Sequence, residues 1–133
     1  MANTTSELYE KHPEWVLKAP NREIVLGRGG TQVVLDLSNP EVQDFIFGIV
    51  DNLMTTYPEI DYIKWDANMS ILNHGSQYLP SDQQSHMYIE YHEGFKKVCE
   101  RIRAKYPDLI LQLAPAVEAG QITGSCLTSM SFG

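Results

Sequence analysis

Two hydrophobic periods alternate along this chain. Val42, Phe45, Ile46, Ile49, Val50 and Leu53 recur at helical spacing. They predict a helix that opens at Ser38-Asn39-Pro40-Glu41 and stops at Tyr57-Pro58. A polar cap, a proline in the first turn and an acid near the N-terminus mark its start. Met87, Tyr91, Phe95, Val98 and Ile102 predict a second long helix, capped by Ser81 or Asp82 and stopped by Tyr106-Pro107. Its basic end, Arg101-Ile102-Arg103-Ala104-Lys105, suits the helix dipole. Residues 33–37, 62–65 and 109–113 are short apolar runs that predict buried strands. The joints Tyr57-Pro58-Glu59-Ile60 and Tyr106-Pro107-Asp108-Leu109 are near copies, each ending a helix and launching a strand. The predicted order is β-α-β-α-β with parallel strands, an α/β architecture. Three strands cannot close a barrel of eight, so the segment reads as part of something larger. Ahead of it, Asn3 to Ser6 can cap a short helix over residues 7–11, ended by Pro13. Residues 14–19 read extended, Pro20-Asn21-Arg22 as a turn and Gly27-Arg28-Gly29-Gly30 as a flexible loop.

Chemistry concentrates where the strand at Tyr62-Ile63-Lys64-Trp65-Asp66-Ala67-Asn68 runs out. Alternation puts Tyr62, Lys64 and Asp66 on one side and Ile63 and Trp65 on the other. The second side suits packing under helices. The first sets a cation and a carboxylate together at a strand's C-terminal end, where α/β enzymes keep their active sites. The same pair reads equally as a structural ion pair closing the strand. A long polar loop, residues 68–83, follows. The glycine-rich loop at residues 27–30 lacks the Gly-Lys-Ser/Thr and the following helix of a phosphate cradle.

Composition narrows the classes. The length of 133 residues suits one modest domain, and 43% apolar residues is ordinary for a globular chain. A net charge of −7, with no basic cluster longer than Lys96-Lys97, argues against nucleic-acid or anionic-membrane partners. No apolar run is long enough to span a membrane. Cys99 and Cys126 have no metal-type spacing, and His12, His74, His86 and His92 form no ligand motif. No metal or cofactor is therefore expected. The start, Met1 followed by Ala-Asn-Thr-Thr-Ser, lacks a secretory signature, which leaves a cytoplasmic location as the default expectation.

With Leu8-Tyr9, His12-Pro13-x-Trp15, Arg28, Val34-Leu35-Asp36-Leu37-Ser38-x-Pro40 and Ile63-Lys64-Trp65-Asp66-x-Asn68 in view, the chain resembles glycoside hydrolase family 36, the α-galactosidases. The resemblance runs over residues 1–113. It implies a partial (β/α)8 TIM barrel of about three parallel strands with intervening helices. It also implies hydrolysis of terminal α-galactosyl groups of oligosaccharides with retention, by an enzyme for which a homo-oligomeric state is compatible. Asp66 matches the catalytic nucleophile, Lys64 a lysine that binds galactose hydroxyls, and Asn68 a residue that hydrogen-bonds the sugar near the reacting centre. Arg28 matches an arginine of the sugar pocket, although Gly29-Gly30-Thr31-Gln32 departs from the shorter loop of many members. Trp65 is expected to pack under helices, and Asp36 to be structural. In the family a Glu-Pro-Glu precedes the methionine that matches Met1, so an internal start is expected.

The match breaks after Leu113. The family continues with a strand-end Cys, then Ser-Gly-Gly-Gly-Arg, then Tyr-Phe-Asp-Glu-Phe-Trp; residues 114–133 have neither those motifs nor a helical or strand period. In a shifted frame, with wobble bases chosen and one T restored, Ala-Pro-Ala-Val-Glu-Ala-Gly-Gln becomes Cys-Ala-Ser-Gly-Gly-Gly-Arg-Thr. The rest becomes Asn-Tyr-Gly-Ile-Leu-Pro-Tyr-Phe-Asp-Glu-Phe-Trp. Residues 114–133 are thus expected to be a frameshift product without order. The acid/base aspartate would lie beyond them, and the isolated chain is expected to be inactive. Two other functions stay open: a non-catalytic sugar-binding remnant using Lys64 and Asn68, and a structural α/β module with no sugar role.

Overall fold

A computed structural model describes residues 1–27, 29–67 and 71–115. The N-terminal portion opens with strand β1 (Ala2–Asn3) and helix α1 (Glu7–Lys11). The Ser6 side chain caps α1 by accepting from the Tyr9 N–H. A 3-10 turn, Pro13–Trp15, comes next, so extended chain begins at Val16 rather than at Glu14. Strand β2 (Gln32–Val33) pairs antiparallel with β1, Ala2 opposite Val33 and Asn3 opposite Gln32.

This pairing corrects one expectation. Residues 33–37 are buried as predicted, but they are not a third parallel strand. Leu35 bridges Val16 in antiparallel sense. The Leu17 N–H donates to the Val34 carbonyl at 2.9 Å, and the Asp36 N–H to the Trp15 carbonyl at 2.7 Å. An apolar run dictates burial and leaves the hydrogen-bonding partner open. Here the nearby N-terminal segment takes up those backbone groups.

Helix α2 (Pro40–Thr56) starts where the sequence predicts: Asn39 accepts from the Glu41 N–H, and Pro40 sits in the first turn. Strand β3 (Tyr62–Ala67), helix α3 (Met87–Lys105) and strand β4 (Ile110–Pro115) form a β-α-β unit. β3 and β4 are parallel, with Lys64 opposite Gln112 and Asp66 opposite Ala114. The loop enters α3 through a 3-10 helix, Ser81–His86, so neither Ser81 nor Asp82 caps α3; His86 holds that position without a side-chain bond. The two Tyr-Pro joints share one geometry. Tyr57 and Tyr106 end their helices at φ −128°, ψ 76° and φ −126°, ψ 71°, each N–H donating to the carbonyl four residues back.

Val42 and Val50 of α2 and Val98 and Ile102 of α3 form the core with Val33, Leu35 and Leu37, and Ile63, Trp65 and Leu111 of the sheet pack against it. Trp65 lies edge-on to Phe95 at 5.2 Å, under the helices as alternation predicts. On the outer surface Arg101 pairs with Asp44 and Lys105 with Asp51, both at 2.5 Å, and Arg101 lies 4.3 Å over Phe47. Exposed pairs of this kind contribute little. No helix among the described residues is long and apolar enough to cross a membrane.

Gly94 sets how closely α3 approaches the start of α2. A Cβ there would collide with the Leu37 carbonyl oxygen and lie 2.8 Å from Gln43 Nε2. Gln43 Nε2 donates to that same carbonyl at 2.8 Å, so the site is already filled. Alanine is normally better than glycine inside a helix by about 1 kcal/mol. Gly94→Ala should nevertheless destabilise by about 1–3 kcal/mol, as overpacking does. Gly48→Ala in α2, with nothing within 4 Å, should show the ordinary helical gain. Urea denaturation of the two variants checks the contrast; equal effects would contradict it.

Candidate active site

β3 delivers the predicted pair. Ile63 and Trp65 turn toward the helices, and Lys64 and Asp66 stand exposed on the opposite, open face. On the same face Tyr62 donates to Gln112 of β4 through its hydroxyl. Among the described residues neither Lys64 nor Asp66 has an ion-pair or side-chain hydrogen-bond partner. The two charges therefore do not close the strand as a mutual ion pair. They are available to a ligand, a cation two residues before a carboxylate along one strand face. Arg28 and Asn68 lie outside the described residues.

A second carboxylate, Asp36, has a different situation. It is fully buried. Its Oδ1 accepts from the Ser38 N–H at 3.0 Å and the Ser38 hydroxyl at 2.6 Å. Its Oδ2 accepts from the Ser76 hydroxyl. Buried charge is tolerated only when satisfied in this way. With both oxygens engaged, Asp36 is structural, as expected, and cannot serve an exposed ligand. The Tyr91 phenol is pushed up to about 12 by burial and by the Asp36 charge, so it stays neutral.

The sequence marks residues 68–83 only as a polar loop. Tyr78 is exposed, and His74 meets the Tyr88 hydroxyl through Nδ1. What the reading missed is the loop's buried polar set: Asn73, Ser76 and the partly buried Gln84. Ser76 Oγ accepts from the Tyr78 and Leu79 N–H groups at 3.1 and 3.0 Å while donating to Asp36. Gln84 accepts from the Ser76 N–H and donates to the Ser76 and Leu79 carbonyls. The Asn-x-Gly-Ser run carries a turn signal, but no periodicity marks such residues as interior.

Gly27 and Gln32 pair across a chain reversal. The Gly27 N–H donates to the Gln32 carbonyl at 2.9 Å, and Gly29 and Gly30 adopt φ of 75° and 76°. Left-handed backbone at two successive positions accounts for the glycine pair.

These two environments differ in what they should contribute to stability. Lys64→Ala and Asp66→Ala should leave the melting temperature of the chain within the range of ordinary surface substitutions, about 0.5 kcal/mol. Ser76→Ala should cost about 1–3 kcal/mol, because it strips a partner from a buried carboxylate. Thermal denaturation of the three variants checks this; a large loss at Lys64 or Asp66 would restore the ion-pair reading.

Comparison with known proteins converges on one family. The sequence model of the Melibiase family matches residues 1–121. The α-galactosidase AgaA of Geobacillus stearothermophilus is 37% identical over 112 residues, 84% of this chain and 15% of that protein. The α-galactosidase Mel36A of Lactobacillus acidophilus is 34% identical over the same share. Among solved structures, the α-galactosidase of Lactobacillus brevis superposes with a TM-score of 0.76 at 34% identity, covering 83% of this chain and 14% of that one. An AgaA variant in complex with raffinose also gives 0.76 at 34%, over 84% and 15%. This chain thus spans about 15% of the length of the curated relatives it matches. Within that span, sequence and backbone agree that the chain belongs to the Melibiase family, the glycoside hydrolase family 36 α-galactosidases.

Proposed function

We propose that the chain is a segment of the catalytic (β/α)8 barrel of a retaining α-galactosidase, with Asp66 as its nucleophile. One observation supports the reading: Lys64 and Asp66 are exposed at the C-terminal end of a parallel strand, on the face turned away from the helices, with no ion-pair or side-chain hydrogen-bond partner among the described residues. That is the end of the strand where barrel enzymes place catalytic residues. The ionised Asp66 carboxylate attacks the anomeric carbon of a terminal α-galactosyl group. The bond to the leaving oxygen breaks as a second carboxyl group protonates it. Water then displaces the carboxylate from the glycosyl-enzyme, restoring Asp66 and retaining configuration. Lys64 donates to galactose hydroxyls, Asn68 hydrogen-bonds the sugar beside the reacting carbon, and Arg28 completes the pocket. The substrate class is an oligosaccharide ending in α-galactose, in keeping with relatives whose structures are in complex with raffinose and stachyose.

Retention requires two carboxylates roughly 5 Å apart across the bond. Asp36 is sealed by Ser38 and Ser76, and Asp61 lies at the opposite end of β3's segment, so the reading takes the partner of Asp66 from outside the described residues. The frameshift reading of residues 114–133 supplies the reason: the acid/base aspartate would follow in the other frame. On this reading the 133-residue chain does not turn over substrate.

The test completes the barrel by placing residues 1–113 in the matching segment of AgaA and assays an aryl α-galactoside. The completed enzyme should hydrolyse it, the 133-residue chain should not, and Asp66→Ala should lower kcat by orders of magnitude with partial rescue by azide. An Asp66→Ala enzyme that keeps its activity would overturn the assignment.

A further inference from the structure

The loop that leaves Asp66 does more than connect β3 to α3. At every second residue it engages the N-terminal portion of the chain. Gln77 Nε2 donates to the Pro13 and Val16 carbonyls, both at 3.0 Å. Gly75 lies so close to Ala19 that a Cβ would fall 2.5 Å from the Ala19 Cα. Asn73 reaches furthest along: its Oδ1 accepts from the Val25 N–H and its Nδ2 donates to the Val25 carbonyl, both at 2.8 Å. One side-chain amide thus takes the place of a neighbouring strand. On the other side of the loop, Ser76 is fixed to Asp36. The loop is clamped from both sides.

Each contact along this series has a different consequence. Gln77 and Gly75 fix residues 13–19, which are also held by burial of Trp15, Val16 and Leu17. Val25 and Leu26 are 52% and 37% exposed, so apolar burial holds this stretch weakly. Asn73, 8% exposed, supplies what burial does not. Val25 stands two residues before Gly27, where the turn bearing Arg28 begins.

We infer that Asn73 is a positioning residue for sugar recognition: its amide, two bonds to Val25, holds residues 25–27 in register with the loop that leaves Asp66. One side chain of the loop after β3 thus holds the chain that leads into Gly27. The inference rests on the galactoside reading above and adds to it a residue that touches no substrate. It also states which kinetic constant the residue governs. Asn73 acts on how the sugar is held, so its loss falls on KM.

The experiment has two readings. In the 133-residue chain, hydrogen exchange at the Val25 amide should accelerate in Asn73→Ala. In the completed enzyme, Asn73→Ala should raise KM for the aryl α-galactoside roughly tenfold, the scale of two lost neutral hydrogen bonds, with kcat changed less than about threefold. Asn73→Asp keeps the acceptor for the Val25 N–H and loses the donor to its carbonyl, so its KM should fall between. A purely structural role would lower stability and active fraction and leave KM unchanged, and that result overturns the inference. Where Asn73→Ala does not fold, Asn73→Asp decides: an intermediate KM supports the inference and an unchanged one overturns it. Asp66→Ala separates the two claims, because loss of activity there with normal KM in the Asn73 variants refutes the positioning role alone.

Discussion

A buried carboxylate must be satisfied, and the structure depends on how Asp36 meets that requirement. Its oxygens take hydrogen bonds from Ser38, at the entrance to α2, and from Ser76, in the loop after β3. Two segments distant in sequence are thereby joined at one charge. Removing either partner would leave a desolvated acceptor, a penalty of about 1–3 kcal/mol. Through Ser76 the junction fixes the backbone of Tyr78 and Leu79, and through Gln84 it reaches the 3-10 entry to α3. Residues 76–79, in the loop after β3, are held by a carboxylate that is itself sealed from solvent.

The contrast between Asp36 and Asp66 separates two uses of one residue type. Both stand at the end of an extended apolar segment. One is enclosed by serines; the other is exposed beside an exposed lysine, on a sheet face that the described residues do not cover. The helix-facing side of that sheet is packed by Trp65, Phe95 and the α2–α3 core. The segment is finished on one side and open on the other. That asymmetry suits the proposed barrel segment, in a chain that spans about 15% of its curated relatives.

Much of this was legible from residue order. The periods of α2 and α3, the proline-marked joints and the alternation along β3 each rest on a local rule, and local rules survive folding. The two faces of the Lys64-Trp65-Asp66 run could be assigned without coordinates because a strand's period is two: Trp65 packs under the helices and Lys64 and Asp66 are exposed. Three features were not legible. Residues 33–37 were correctly read as buried but given the wrong partner, because hydrophobicity does not encode pairing. Ser81 and Asp82 have cap chemistry, yet the chain runs one 3-10 helix further before α3 begins at Met87. Asn73 and Ser76 look like ordinary loop residues; their importance comes from Val25 and Asp36, about 40–50 residues away, and no short-range pattern reports it.

The central claim is chemical: Asp66 forms a bond to the sugar. Trapping tests it most directly. The completed enzyme would be treated with a 2-deoxy-2-fluoro-galactosyl donor, whose fluorine slows breakdown of the glycosyl-enzyme, then digested and analysed by mass spectrometry. The account predicts one fluorogalactosyl adduct, on the peptide containing Lys64-Trp65-Asp66, with fragmentation placing it on Asp66. An adduct on any other carboxylate, or turnover with no adduct at all, would contradict it.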